Sequence, residues 1–295
     1  MYRFQHKRCI RGRGDYVVKV DSIFKSFGSK DVLKGASLQI NKGEIVGLVG
    51  ENGAGKTTLI KIISGLIYAN KGEINLDGET VAAFVEQPAF YSDLSGRENM
   101  EYFLDRKITD EEISQAPFGC VEFLDLQVRK YSMGMRQKMA LWLMFISGAD
   151  YLLLDEPSVA LDVDTVRELD DLLVNIKKEK GILVSSHNFS ELQNVCDRVL
   201  VLKDGVCHNE VILNEVHRDV YVIKALNTID EQLMEKLKSE NCTLVDDAIE
   251  FVGTAEEVAA FNAKLIKNDI LVSEVSRKYG YLEARFTEIV KEGVE

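Results

Sequence analysis

The stretch "GENGAGKTT", residues 50–58, decides the fold. It fits the pattern G-x-x-x-x-G-K-[ST], follows a short apolar run and opens an amphipathic segment. Glycines let the backbone wrap around phosphate oxygens, and the positive end of the following helix attracts an anion. We therefore predict a phosphate-binding loop in which Lys56 reaches the outer phosphates and Thr57 is a ligand of Mg²⁺. Nucleotide contacts are expected from the whole loop: Gly50, Glu51, Asn52, Gly53, Ala54, Gly55, Lys56, Thr57 and Thr58.

The sequence around this loop alternates between apolar runs and amphipathic segments. Strands are predicted at 17–23, 32–40 and 44–49, and in the stretches "YLLLDEP" (151–157), "GILVSSH" (181–187) and "RVLVLKDG" (198–205). Helices are predicted from the loop onward, within 94–128, from Ser132 onward and at 163–180, with Thr109 and Glu112 as a capping box. The later strands are continuously apolar, as buried parallel strands are. The alternation predicts an α/β fold with a parallel sheet and helices packed on it.

Three polar residues lie at the ends of two of these buried strands. Asp155, at the end of one strand, would hold Mg²⁺ through water, and Glu156 is placed to polarise the attacking water. His187 ends "ILVSSH" and can donate a hydrogen bond to the γ-phosphate. Two acids could also begin a surface loop, and a histidine after a strand is often structural. Their order behind the phosphate loop favours catalytic roles for Glu156, His187 and Lys56.

The stretch "YSMGM", residues 131–135, separates the remaining classes of ATPase. With "RQK" after it, it resembles the signature of the ATP-binding subunits of ABC transporters, and Y-S-x-G-M variants are typical of bacterial exporters of drugs, peptides and antibiotics. The resemblance implies that Ser132, Gly134 and Met135 bind the γ-phosphate held by another protomer. Ser132 could equally be an ordinary helix cap, and both roles are compatible.

Other motifs extend the resemblance over residues 17–210, in the family's order. Phe27 stands where the family stacks an aromatic ring on adenine, and "SVALD" with Asp162 is similar to the loop that crosses the dimer interface. The resemblance implies a P-loop NTPase core with an antiparallel β subdomain and a short helical subdomain. It also implies ATP and Mg²⁺ as ligands.

Two departures from the family pattern stand out. Where the family has Gln before Pro, as sensor of the γ-phosphate and the metal, this chain reads Glu86-Gln87-Pro88. Alignment on the proline places the sensor, a nucleotide and metal ligand, at Glu86; Gln87 is the alternative. The stretch between Leu94 and Ser132 is also shorter than the family's helical subdomain usually is. A shortened subdomain implies a specialised membrane partner or an altered groove for it.

Composition limits the partners. The chain has 295 residues, 46% of them hydrophobic, and a net charge of −12, which disfavours general binding of nucleic acid. The five cysteines show no C-x-x-C pair and are expected to be reduced thiols. The resemblance implies a second ATP-binding subunit, a homodimer or a homologue, and a separate transmembrane permease. It also implies peripheral attachment to the cytoplasmic face of the cell membrane.

Two alternative functions remain. An ABC-type ATPase acting on ribosomes or nucleic acid is disfavoured by the acidic charge and the single phosphate loop. A nucleotide-binding switch with weak hydrolysis is disfavoured by the intact catalytic residues, although Glu86 leaves it open.

The predicted domains are a basic extension (1–16), an ATP-binding domain (17–215) and a small α+β domain (216–295). In the last, strands are predicted at 219–225, 243–247, 249–252 and 270–275, and helices at 228–239, at 254–268 and from Tyr281. The order β-α-β-β-α-β is that of a split βαβ module. The resemblance gives this domain a role in regulation or dimerisation.

Overall fold

The computed structural model describes residues 17–86, 89–212, 219–227, 241–245 and 248–279. Four of the predicted features lie outside the described residues: the basic extension, Gln87, the helix at 228–239 and the helix from Tyr281. The chain divides into two compact units, residues 1–210 and 211–295. The roles assigned to the predicted domains stay predictions.

The first unit contains most of the predicted elements. Its strands are β1 (Val17–Phe27), β2 (Lys30–Asn41), β3 (Ile45–Val49), β4 (Lys71–Asn75), β5 (Val81–Phe84), β6 (Tyr151–Asp155), β7 (Gly181–Ser185), β8 (Arg198–Lys203) and β9 (Val206–Ile212). Its helices are α1 (Lys56–Ile63), α2 (Gly96–Leu104), α3 (Asp110–Ser114), α4 (Met133–Phe145), α5 (Val163–Ile176) and α6 (Phe189–Val195). The sequence patterns did not predict β4, β5, β9 and α6, because these elements are short or lack a clear apolar period.

The central sheet has six strands in the order β5-β6-β7-β3-β8-β9. The pairs β5–β6, β6–β7, β7–β3 and β3–β8 are parallel, and every residue of β3, β6 and β7 is buried. Parallel strands place their carboxyl ends at one edge of the sheet. The segments that follow β3, β6 and β7 therefore meet at that edge.

A second sheet, in the order β2-β1-β4, is antiparallel. Helix α1 shares a core with both sheets: its Leu59 and Ile60 belong to one buried cluster with Ile40 of β2 and Leu153 of β6. The apolar face of α1 thus fixes the direction of the helix, and with it the position of the phosphate loop at its N-terminus.

The prediction that residues 94–128 are helical holds only in part. Helix α2 begins with a capping box of Ser95 and Glu98, and α3 with the predicted box of Thr109 and Glu112. Two 3-10 helices follow, Pro117–Phe123 and Val128–Lys130, and turns or irregular chain connect these four elements. Phe118 and Gly119 have positive φ, which interrupts any regular helix at that point. None of the helices in the described ranges is long and apolar enough to cross a membrane.

The second unit contains an antiparallel sheet in the order β11-β12-β10-β13. Its described elements are β10 (Asp219–Ala225), β11 (Cys242–Val245), β12 (Ala248–Gly253), α7 (Ala255–Lys267) and β13 (Val272–Tyr279). Helix α7 starts with the predicted capping box of Thr254 and Glu257. Phe251 and Phe261 stack in a core that joins α7 to the sheet. The strand order is that of the predicted split βαβ module.

Candidate active site

The phosphate loop connects β3 to α1. Gly53 and Gly55 have φ values of 85° and 109°, a region that side chains with a Cβ rarely adopt. A Cβ on Gly50 would lie 2.4 Å from the carbonyl oxygen of Leu202, so the loop passes too close to β8 for a larger residue. No side chain caps the N-terminus of α1, and no acidic residue lies in its first turn. These helix N–H groups are therefore available for an anion.

Lys56 is buried, and its amine lies within the phosphate loop. Nζ donates to the carbonyl of Gly50 at 2.7 Å and approaches that of Glu51 at 3.4 Å. The two carbonyls keep the ammonium group solvated by protein. These contacts fix the Lys56 amine in the phosphate loop, where it is predicted to contact phosphate oxygens.

A chain of hydrogen bonds joins α1 to β6 and β7. The hydroxyl of Thr57 donates to Asp155 Oδ2 at 2.7 Å, and the hydroxyl of Ser185 donates to Asp155 Oδ1 at 2.6 Å. Asp155 is buried, so the two donors also offset the cost of its desolvation. No sequence motif identifies Ser185; its position at the end of the buried strand β7, beside β6, is the signal that could have identified it.

Glu156 and His187 form a pair at the mouth of the site. His187 Nδ1 lies 2.7 Å from Glu156 Oε2, and the histidine side chain is 66% exposed. The Glu156 N–H donates to the carbonyl and to the hydroxyl of Ser185, both at 3.1 Å. Glu156 has a φ of 51°, a strained conformation that the neighbouring strand holds in place.

Glu86 lies at the end of the segment that follows β5, with a φ of 60°. Its carboxylate accepts from Lys61 Nζ at 2.5 Å, and its side chain is 66% exposed. Lys61 is four residues after Thr57, so both residues lie on one face of α1. This ion pair places the Glu86 carboxylate beside that face. Gln87, the alternative sensor, lies outside the described residues.

Phe27 lies at the turn between β1 and β2, and 52% of its surface is exposed. Lys25 Nζ lies 5.1 Å from the centroid of the ring. An exposed ring can stack on a base, as predicted for this position.

Helix α4 carries the signature residues at its N-terminus. The hydroxyl of Ser132 accepts from the N–H of Met135 at 3.2 Å, so the helix-cap role is present in the structure. A Cβ on Gly134 would lie 3.0 Å from the carbonyl oxygen of Ala160. The buried Gln137 donates to the carbonyl of Pro157 at 2.9 Å. The signature helix is therefore attached to the loop that follows Glu156.

Asp162 ends that loop and caps α5. Its carboxylate accepts from the Thr165 N–H at 2.9 Å and lies 3.5 Å from Lys138 Nζ. The hydrogen bonds from Thr165, backbone first, lower the pKa of Asp162 to about 2. The residue is therefore charged at neutral pH, and the cap fixes the end of the loop.

The predicted residues fall into two groups. Thr57, Asp155, Glu156 and His187 meet at the carboxyl edge of the parallel sheet, linked by direct hydrogen bonds and through Ser185. Lys56 precedes Thr57 in the chain, and its amine donates to the carbonyls of Gly50 and Glu51 in the phosphate loop. The signature residues contact their own helix and the loop after β6 instead. The roles of the individual residues stay predictions.

Asp170 of α5 lines a small cavity together with Ser158, Ser186 and Glu191. Burial, and then the nearby Glu191 carboxylate, raises the pKa of Asp170 to about 6. A carboxyl whose pKa is raised by folding stabilises the fold while it is protonated, and this stability is lost as the pH rises through about 6.

We expect Asp170→Asn to stabilise the fold at pH 7.5 and to have little effect at pH 4. The side chain is only half-buried, so we expect a gain of about 1 kcal/mol after allowing for solvent screening. Thermal unfolding of both proteins across this pH range measures the difference. Parallel pH profiles would show that the carboxyl titrates normally.

Comparison with known proteins identifies the family. The sequence pattern described as ABC transporter matches residues 33–159. The ABC transporter ATP-binding protein YdbJ of Bacillus subtilis (strain 168) is 30% identical, over 92% of this chain and 94% of YdbJ. The bacitracin transport ATP-binding protein BcrA of Enterococcus faecalis is 26% identical, over 95% and 98%.

A solved structure of an ATP-binding subunit of an ABC transporter gives the same result. It is 25% identical, with a TM-score of 0.61, over 67% of this chain and 90% of that one. The relatives match nearly the full length of the chain, and the solved structure matches the ATPase fold. The chain therefore belongs to the ATP-binding proteins of ABC transporters, the ATPases that power transport through a separate membrane subunit.

Proposed function

We propose that two copies of this chain close head to tail around two molecules of ATP. The observation that carries this proposal is the division of the predicted site. The phosphate loop, Asp155, Glu156 and His187 meet at one edge of the sheet, whereas Ser132 and Gly134 lie at the N-terminus of α4. A second copy in a head-to-tail dimer brings its own α4 N-terminus to the phosphates.

Each catalytic residue has a separate role in this proposal. Lys56 and the N–H groups of α1 hold the phosphates, and the adenine stacks on Phe27. Glu156 orients the attacking water, and His187 donates a hydrogen bond to the γ-phosphate. The contact of His187 with Glu156 keeps the two side chains in register. Hydrolysis then opens the dimer.

Magnesium fits the residues at the start of α1. The Thr57 hydroxyl and the Asp155 carboxylate are in hydrogen-bond contact, and both are the hard oxygen donors that Mg²⁺ takes. Bound Mg²⁺ supplies the positive charge that stabilises the negative charge developing on the phosphates. Glu86, whose carboxylate is paired with Lys61 on the same helix face as Thr57, would be the third protein residue to hold the ion.

Glu86→Gln should raise the Mg²⁺ concentration needed for half-maximal binding of a non-hydrolysable ATP analogue by about 3- to 10-fold, because a carboxylate binds the cation better than an amide. Titration calorimetry at several Mg²⁺ concentrations measures this value. Lys61→Met removes the ammonium group that competes with Mg²⁺ for the Glu86 carboxylate. This variant should lower the Mg²⁺ concentration needed for half-maximal binding. If Gln87→Ala has the larger effect and Glu86→Gln none, Gln87 is the sensor.

The names of the relatives support a proposal for the class of cargo. BcrA is named for bacitracin transport, which favours a peptide, an antibiotic or a lipid-like compound as the exported cargo here. The ATPase pair would act at the cytoplasmic face of the membrane, bound to a transmembrane permease. The short helical region, 94–128, is the candidate docking surface, and residues 216–295 are assigned to regulation or dimerisation.

Affinity purification of the tagged chain from gently solubilised native membranes tests this proposal. We expect a stoichiometric polytopic membrane protein, identified by mass spectrometry. Recovery of ribosomal subunits alone would contradict the transporter assignment and favour action on the ribosome.

A further inference from the structure

Glu191, in the first turn of α6, accepts hydrogen bonds from three side chains. Oε2 accepts from the Ser158 hydroxyl at 2.7 Å and from the Ser186 hydroxyl at 3.0 Å. Oε1 accepts from Asn188 Nδ2 at 3.1 Å. The network closes on itself, because the Asn188 N–H donates to the Ser186 hydroxyl at 3.0 Å.

The three donors belong to two functional segments. Ser158 is in the loop between β6 and α5, which starts after Glu156 and ends at Asp162. Ser186 and Asn188 are the two neighbours of His187. One carboxylate therefore holds the chain on both sides of the histidine and also holds the loop that leads to Asp162.

A carboxylate matches the three donors at this position. Its two oxygens accept from all three donors, whereas a glutamine would present one oxygen and an NH₂ group that is itself a donor. Asp170 lines the same cavity, and the Glu191 carboxylate is one cause, after burial, of the raised pKa of Asp170. The helix that carries Glu191 is anchored by Leu192, which is fully buried, and this packing limits the movement of the Glu191 backbone.

We propose that Glu191 is a positioning residue that couples the 158–162 loop to His187 of the same protomer. In the proposed dimer this loop contacts the partner protomer and moves when the dimer closes. Because Glu191 is bonded to the loop and to both neighbours of His187, this movement changes the position of His187 relative to the γ-phosphate. The inference rests on the proposed function. It adds a residue that neither the phosphate motifs nor the signature includes.

The test compares Glu191→Ala with His187→Ala and with the double variant. We expect Glu191→Ala to lower the kcat for ATP about 10- to 100-fold and to leave the KM for ATP and the affinity of the monomer for nucleotide within about twofold. Since Glu191 acts through His187, the double variant should be no slower than His187→Ala alone. A purely structural role would give additive losses and a lower melting temperature instead.

A second variant keeps the test valid if Glu191→Ala does not fold. Ser158→Ala removes the loop side of the network and leaves the histidine side intact, and it should lower kcat without changing the KM. Glu179→Gln, at an exposed site after α5, controls for the loss of charge. Unchanged kcat in folded Glu191→Ala or in Ser158→Ala, or additive losses with His187→Ala, would overturn the inference. The proposed function would survive that result if Glu156→Gln still abolished hydrolysis.

Discussion

Glu156→Gln should lower ATP hydrolysis at least about 100-fold and should convert the protein to a stable dimer when ATP is added. The amide keeps the shape of the side chain and still reaches His187, but it cannot accept a proton from water. Because binding precedes chemistry, the dimer should close and fail to reopen. Size-exclusion chromatography with light scattering, with and without ATP, measures the change in mass.

Glu179→Gln makes the same chemical change at an exposed position after α5 and should leave both hydrolysis and the oligomeric state unchanged. A Glu156→Gln protein that stays monomeric with ATP, with the membrane partner present, would contradict the closed dimer. Retention of more than a tenth of the wild-type rate would contradict the role of Glu156.

Gly134→Asp should abolish hydrolysis and ATP-dependent dimerisation, while the monomer still binds nucleotide. A Cβ there meets the carbonyl of Ala160 at 3.0 Å, so the start of α4 must shift against the loop after β6. The new charge also lies at a helix N-terminus that should face the partner's γ-phosphate, and two anions repel. We expect a loss of hydrolysis of at least about 100-fold, the range typical of a lost transition-state contact.

Nucleotide binding to the monomer, followed with a fluorescent ATP analogue, separates this effect from misfolding. Asn175→Asp adds a negative charge on the exposed surface of α5, and it should change neither the rate of hydrolysis nor ATP-dependent dimerisation. Loss of nucleotide binding by the Gly134→Asp monomer would show that the signature acts within its own chain, against the proposed division of the site.

The sequence predicted those parts of the site that depend on motif order and strand direction. "GENGAGKTT" follows an apolar run, "LLLDE" and "VSSH" each contain the end of one, and parallel strands bring such segments to one edge. This was enough to expect Thr57, Asp155 and Glu156 to lie close together. The capping boxes of α3 and α7 were also predicted, because their residues are local in sequence.

Features that depend on tertiary packing could not be predicted. Ser185 and Glu191 are common residue types, and only the fold brings them to Asp155 and to Ser158. The ion pair of Glu86 with Lys61 depends on a positive φ that no motif specifies. The irregular chain around Phe118 was predicted as helix, because its composition does not reveal two consecutive residues with positive φ.

The most direct test is to mix two inactive variants, Lys56→Ala and Gly134→Asp. In a head-to-tail dimer of the two variants, one site contains both substitutions and is inactive. The other site combines the intact phosphate loop of the Gly134→Asp chain with the intact signature of the Lys56→Ala chain. Hydrolysis should return, to about a quarter of the wild-type rate in an equal mixture if the chains pair at random, because about half of such pairs are mixed and each mixed pair has one working site. A mixture as inactive as its components, although a tag on one variant co-purifies the other, would mean that each chain completes its own site.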